Sequence, residues 1–307
     1  MWDVGLLLSG MVLAALGGEV FIRGAVGLAA RLRVPPGIIG ATIAAFATSA
    51  PEMAVGINAA LAGASQVAAG DALGSNVVNL GLVLGAVVLI APLRLEARAV
   101  LRDLPLTAGA PLLLGLLAAD GRVSRVDAGA LIVVFAVWLT TTVLQAFRER
   151  DGASPLRGEP GIGQAMLLVT AGAALLAIAG RLVVLGALAV GQRLGLDAFF
   201  VGATLVALGT SMPELATALL ARLRGHADLG AGTVMGSNIF NTLWIVGVAA
   251  LIQPFDVRAA ELSVAVAAGA VGALLLFPAG SWVIGRLRGA LLLGGYALYV
   301  GVLFAVH

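Results

Sequence analysis

Of the 307 residues, 61% are hydrophobic and 11% charged, and the mean hydropathy is +1.08; a soluble domain carries about 25% charged residues. The apolar residues fall in continuous runs near the ~20 needed to cross a bilayer, without the alternation of a membrane barrel, so the class is an all-α polytopic membrane protein. The absence of cysteine excludes disulfides, thiolate chemistry and iron–sulfur clusters, and a net charge of +2 gives no footing for nucleic acid.

Ten spans are predicted in chain order, near 4–30, 35–62, 67–91, 104–119, 127–147, 162–191, 198–221, 229–252, 260–279 and 287–306. The first begins almost at Met1 without a cleavable signal pattern, so it is expected to remain as a membrane helix. The widest break, 148–161, carries Arg148, Glu149, Arg150, Asp151, Arg157 and Glu159 and is too short for a regulatory domain. It separates five spans in 1–147 from five in 162–307. Arginines set the orientation. One set of alternate loops holds twelve of them, among them Arg31, Arg94, Arg148, Arg222 and Arg286. The opposite set holds four: Arg122, Arg125, Arg193 and Arg258. The chain is therefore expected in the cell (inner) membrane, multi-pass, with 148–161 cytoplasmic and both termini outside.

The two halves match at a constant offset of 162 residues. Thr42, Ala45, Thr48, Ser49, Pro51 and Glu52 correspond to Thr204, Ala207, Thr210, Ser211, Pro213 and Glu214. Gly70, Gly74, Ser75, Asn76, Asn79 and Gly85 correspond to Gly232, Gly236, Ser237, Asn238, Asn241 and Gly247. Most of these residues are polar, Gly or Pro, so shared apolarity does not explain the match. Five spans per half is odd, so the second half enters from the opposite side, giving two inverted-topology five-helix repeats. Such repeats characterise secondary transporters, with substrate near the midplane between them.

The repeated residues are those a hard cation needs. A proline inside a helix lacks an N–H and clashes with the carbonyl four residues back, so Pro51 and Pro213 are expected to free the carbonyls of Ala47 and Gly209. Thr48, Ser49, Thr210 and Ser211 add hydroxyls. Glu52 and Glu214 supply charge near the middle of their spans, where a carboxylate costs several kcal/mol. Ser75 and Asn79 share one helix face, as do Ser237 and Asn241, and Gly70 and Gly74 permit close helix packing. All donors are oxygens, which favours Na⁺ or Ca²⁺ over zinc or copper. Each feature alone has a plain structural reading: hydroxyls bonding their own backbone, prolines kinking helices, glycines packing. Their duplication, with Glu at the same place in both copies, favours a cation site.

The two segments, about 40–85 and 202–247, resemble the α-repeats of the calcium/cation antiporter superfamily, in particular its sodium/calcium exchanger branch. The resemblance implies that Glu52 and Glu214 are central ligands for Ca²⁺ and Na⁺. It adds Thr48, Ser49, Ser75 and Asn79 from one half, and Thr210, Ser211, Ser237 and Asn241 from the other. It also implies that the carbonyls of Ala45 and Ala207 contribute to sodium positions. Three departures stand out: Ala47 where the usual motif has Gly, Asn241 where some relatives have Asp, and Asp71 where many have Asn. Asp71, four residues before Ser75, is either a third carboxylate of the site or a capped, water-facing residue at the start of its helix.

An empty site with two ionised glutamates carries two negative charges through a low-dielectric interior. One Ca²⁺, a set of Na⁺ ions or two protons cancels them, so loaded forms cross more readily than empty ones. The sequence thus points to Na⁺/Ca²⁺ antiport by alternating access, with Ca²⁺/H⁺ antiport on the same scaffold as the alternative and a cation channel behind it. The long, glycine-rich first and sixth spans are expected to slide against the rest. Glu19 and Arg23 read as a buried ion pair, and Asp103, Asp120, Asp127, Asp228, Asp256 and Glu261 as solvated residues flanking spans. No nucleophile–base pair or phosphate-cradling loop indicates an enzyme. No cofactor is expected, and the partners are the transported ions and the lipid bilayer, around a monomeric functional unit.

Overall fold

The computed structural model describes all residues except 1, 32–44, 96–98, 149–160, 224–226, 278–281 and 307. The first half runs α1 (Trp2–Arg31), α2 (Ala45–Thr48), α3 (Ala50–Leu61) and α4 (Ser65–Val77). It continues through a π-helical turn (Val78–Leu84) into α5 (Gly85–Ile90), then a second π-helical turn (Ala99–Asp103), α6 (Leu104–Leu117) and α7 (Arg125–Arg148). The second half runs α8 (Ile162–Leu194), α9 (Ala198–Val201), a π-helical turn (Gly202–Val206), α10 (Ala207–Thr210), α11 (Met212–Leu223) and α12 (Ala227–Ile239). A further π-helical turn (Phe240–Ile245) leads to α13 (Val246–Ile252), α14 (Ala259–Leu276) and α15 (Arg286–Val306).

Among the described residues, eight helices are long and apolar enough to cross a membrane. Of the ten expected spans, 35–62 begins outside the described residues and is broken at Ser49, and 104–119 forms the 14-residue α6. The expected linker likewise lies almost wholly outside them. Residues sort as lipid demands. Leu8, Leu116, Leu167 and Leu298 are more than half exposed, while Glu52, Asp71 and Glu214 are at most 1% exposed.

α1 and α8 pack along most of their length and run antiparallel. Gly10 meets Val183, Gly17 meets Leu175, and Gly24 meets Val169; reciprocally, Gly172 meets Phe21 and Gly186 meets Leu7. A side chain at any of these glycines would overlap the partner backbone or its Cβ. The glycines expected to make a sliding face therefore have two jobs. Gly17, Gly24 and Gly186 seat the two long helices on each other, whereas Gly18 and Gly180 face Pro51 and Ala54 of α3.

Two short sheets clasp the halves together. Leu93 and Arg94 pair with Ile284 and Val283, and Arg122 and Val123 pair with Asp256 and Phe255. The 162-residue offset carries Leu93 onto Phe255 and Arg122 onto Ile284, so each sheet is the counterpart of the other. An aromatic cluster also joins the halves: the Phe135 ring meets Phe240, Trp138 and Trp244, and Phe46 abuts Phe240.

Three expectations about charged residues are corrected. Glu19 and Arg23 are ion-paired at 2.7 Å, but both side chains are more than half exposed; they ride the outer face of α1. Asp103 is buried, not solvated: Arg102 holds both of its carboxylate oxygens and the Trp138 indole N–H donates to Oδ1 at 3.0 Å. Glu261 is buried too, accepting from Arg258, which also reaches Asp197.

Candidate cation site

The site is built where two helices restart. Residue 49 is a turn (φ −84°, ψ 9°) between α2 and α3, and Ser211 (φ −81°, ψ 5°) is its counterpart between α10 and α11. Pro51 and Pro213 fall at the second position of α3 and α11. There a missing N–H is not needed, so each proline opens a new helix instead of kinking a continuous one. Glu52 and Glu214 follow one residue later, in the first turn of each new helix.

α4 supplies the facing wall. Gly70 and Gly74 receive the backbone of Phe199 and Ala203, and Gly202 in turn receives the carbonyl of Val67. This closeness lets side chains from opposite halves meet. Thr48 Oγ1 lies 3.2 Å from Ser237 Oγ, and Ser75 Oγ lies 3.3 Å from Thr210 Oγ1. The offset maps one contact onto the other. Ser211 donates to Glu52 Oε1 at 3.5 Å, Ser237 donates to Glu214 Oε1 at 3.4 Å, and Thr48 is also hydrogen-bonded to Glu214.

Behind the hydroxyls lies an amide ladder. Asn79 Nδ2 donates to Asn238 Oδ1 (3.0 Å), Asn238 Nδ2 to the Asn76 carbonyl (3.2 Å), and Asn76 Nδ2 to Thr242 Oγ1 (2.6 Å). Asn76, Asn238 and Thr242 were not among the expected ligands. The first two stand in the duplicated Gly-Ser-Asn motif and were legible there. Thr242 corresponds to Leu80, so a search by repetition passes over it.

All the expected side-chain ligands are buried: Thr48, Ser49, Glu52, Ser75 and Asn79 from one half, Thr210, Ser211, Glu214, Ser237 and Asn241 from the other; the hydrogen bonds above join all of them except Ser49 and Asn241, whose side-chain polar atoms are buried without a partner. Asp71 joins them. It sits inside α4, fully buried, which rules out the water-facing reading. The carbonyl of Ala207 already accepts from the Thr210 hydroxyl and the Ser211 N–H. Ala45 opens α2, and its preceding motif residues, Thr42 included, lie outside the described residues. Thr210 also bonds the Val206 carbonyl at 3.2 Å, so the ordinary back-bonding of a membrane-helix threonine coexists with its contact across the halves.

A cation is what this centre fits. Glu52 Oε2, Glu214 Oε2, Asp71 Oδ2, Asn76 Oδ1, Asn79 Oδ1 and Asn241 Oδ1 are buried without a hydrogen-bond partner. Buried polar atoms are normally paired, and these six are acceptor oxygens. Among the described residues no three His, Cys, Asp or Glu side chains converge on one point. Charge is instead spaced by hydroxyls and amides, the donor set of Na⁺ and Ca²⁺.

Comparison with known proteins agrees with this reading. The family described as sodium/calcium exchanger protein matches residues 2–144 and 164–305. A putative antiporter, CaxA of Alkalimonas amylolytica, is 35% identical over 97% of this chain and 98% of its own. Sodium/calcium exchanger MaX1 of Methanosarcina acetivorans is 27% identical, with 98% of each chain covered. The solved structure of the sodium-calcium exchanger NCX_Mj soaked with Na⁺ and Sr²⁺ superposes with a TM-score of 0.69 at 28% identity, covering 98% of both chains. Matched along nearly its whole length in sequence and in fold, the chain belongs to the sodium/calcium exchanger family.

Proposed function

We propose that this transporter exchanges Ca²⁺ for Na⁺ by alternating access, with Glu52 and Glu214 as the charged centre of the site. Around them stand Thr48, Ser49, Ser75 and Asn79 from one half and Thr210, Ser211, Ser237 and Asn241 from the other. One observation carries the reading. Two equivalent hydroxyl contacts, Thr48–Ser237 and Ser75–Thr210, join the halves beside two buried glutamates, each with an unpartnered oxygen. Ligands split between halves are released when the halves move apart, which is what exchange requires and a rigid binding site does not.

The arrangement behind this is ten spans in two inverted five-helix repeats, residues 1–147 and 162–307, with the arginine-rich loops cytoplasmic and the termini outside. The antiparallel seating of α1 on α8 and the reciprocal sheets support it. The functional unit is the single chain, which contains both halves of the site.

Reconstitution in sodium-loaded vesicles tests the coupling. Radioactive calcium is expected to accumulate while an outward sodium gradient persists, and to stop accumulating when the gradient is collapsed. Accumulation driven by a proton gradient alone would assign Ca²⁺/H⁺ antiport instead, and calcium entry with no counter-ion would assign a channel.

A further inference from the structure

Away from the cation site, a cavity of about 280 Å³ opens between α14, α15 and the Val78–Leu84 turn. Its floor is Leu80 and Gly81, which directly follow Asn79 in the chain. Its walls run from Val264 to Leu275 on α14 and from Leu291 to Val302 on α15. The lining is almost wholly apolar, and the Tyr299 hydroxyl is taken up by the Ala203 carbonyl at 3.4 Å. Val271, Leu291 and Leu298 at the rim are half or more exposed, so the mouth faces the surface that lipid covers. A side chain added at Gly295 meets nothing within 4 Å.

Water finds no partners in such a space, and leaving it empty costs more the larger it is. Its length is that of a lipid tail. Leu291 to Val302 spans about 16 Å at 1.5 Å per residue, close to half of the ~30 Å hydrocarbon layer. Its end is basic. Arg288 lies on the same face of α15 as Leu291, Gly295 and Leu298. It bridges the two walls by donating to the carbonyl of Phe277, just past α14 and two residues from Leu275. Arg286, exposed one turn earlier, donates to the carbonyl of Ile90 at 3.1 Å. Each guanidinium thereby spends one of its five N–H groups and is held in place with the others to offer. These loops are the ones assigned above to the cytoplasmic side, where the leaflet is anionic.

We propose that this cavity is a binding site for one anionic phospholipid, with an acyl chain between α14 and α15 and the phosphate at Arg286 and Arg288. The chain then lies against the turn that follows Asn79, so lipid and candidate cation site share one piece of backbone.

Lipid retention by the purified full chain tests this. In native mass spectrometry, one tightly held phosphatidylglycerol per chain is expected, with phosphatidylcholine of the same chain length held about tenfold more weakly. Arg286→Gln and Arg288→Gln are each expected to weaken phosphatidylglycerol about fivefold, since glutamine still donates to the neighbouring carbonyl but carries no charge. Gly295→Leu fills the cavity and is expected to abolish tight retention with the melting temperature unchanged. Equal retention of the two lipids, or full retention by Gly295→Leu, overturns the proposal. Should Gly295→Leu fail to fold, a phosphatidylglycerol with a photoreactive diazirine in its acyl chain decides on the unaltered protein. Crosslinks at Leu80, Gly81 or Tyr296 support the site. Crosslinks confined to outward residues such as Leu8, Leu116 and Leu167 mark ordinary boundary lipid and overturn it. None of these readouts depends on which ions are exchanged, so failure here leaves the exchanger reading standing.

Discussion

Glu52 and Glu214 each sit in the first turn of a helix with proline at its second position, and each keeps one oxygen without a hydrogen-bond partner. Glutamine preserves the size of either side chain and still accepts a bond from Ser211 or Ser237, so its substitution removes charge and little else. Glu52→Gln and Glu214→Gln are each expected to lower calcium exchange by about a hundredfold or more, since a charged ligand is lost from a low-dielectric site. Sodium-driven calcium uptake by vesicles checks this, and normal uptake by both variants removes the pair from the mechanism. A different outcome belongs to Asp103, which lies outside the site. Its oxygens hold Arg102 and the Trp138 indole. Trp138→Phe leaves that carboxylate one donor short and is expected to cost about 1–3 kcal/mol of stability. The melting curve in detergent is expected to fall, while exchange per folded molecule stays near normal.

At the scale of elements, the close approach of α4 to the Gly202–Val206 turn sets the width of the site. Gly74 lies against the Ala203 carbonyl with no room for a methyl group. Gly74→Ala is expected to cost about 1–3 kcal/mol through overpacking and to slow exchange by separating Ser75 from Thr210. Gly232, the counterpart of Gly70, has open space around it among the described residues. Gly232→Ala is therefore expected to be neutral, or stabilising by up to about 1 kcal/mol from helix propensity. Melting temperature and calcium flux measured on both variants separate packing from mere presence in a motif. The contrast shows what the sequence carries at this scale. Period and composition located the long helices: α1, α7, α8, α14 and α15 lie within a few residues of the expected spans. Repetition singled out the candidate ligands, because a chance hydroxyl rarely recurs at one offset. Repetition was blind to Thr242, which has no twin, and to the difference between Gly70 and Gly232, whose twinned residues meet different neighbours. Asp103 and Glu261 were misread because an arginine beside an acid, Arg102 or Arg258, looks the same in sequence whether the pair is buried or solvated; the burial comes from elements distant in sequence, such as the one carrying Trp138.

The molecule as a whole is a near-repetition whose halves have unequal surroundings. Ala50 is fully buried and Pro51 is buried beneath the long helices, yet their counterparts Met212 and Pro213 are 40% exposed and half-buried. Ala54 and Ala216 differ in the same sense. Two stretches of like sequence in unlike environments are what one pose of an alternating transporter consists of, because the opposite pose exchanges the environments. The chain has no cysteine, so single cysteines report accessibility without background. In ion-free vesicles, Met212→Cys is expected to react with a membrane-impermeant maleimide from one face only, while Ala50→Cys stays protected. During calcium–sodium exchange, Ala50→Cys is expected to become reactive from the opposite face, with Met212→Cys labelling slowed in proportion. Labelling of both positions from the same face would place α3 and α11 on one side of the membrane and end the inverted arrangement. Labelling that ignores the ions would leave the two halves fixed, and a fixed pair of halves cannot pass Ca²⁺ from one side to the other while keeping the site closed between them.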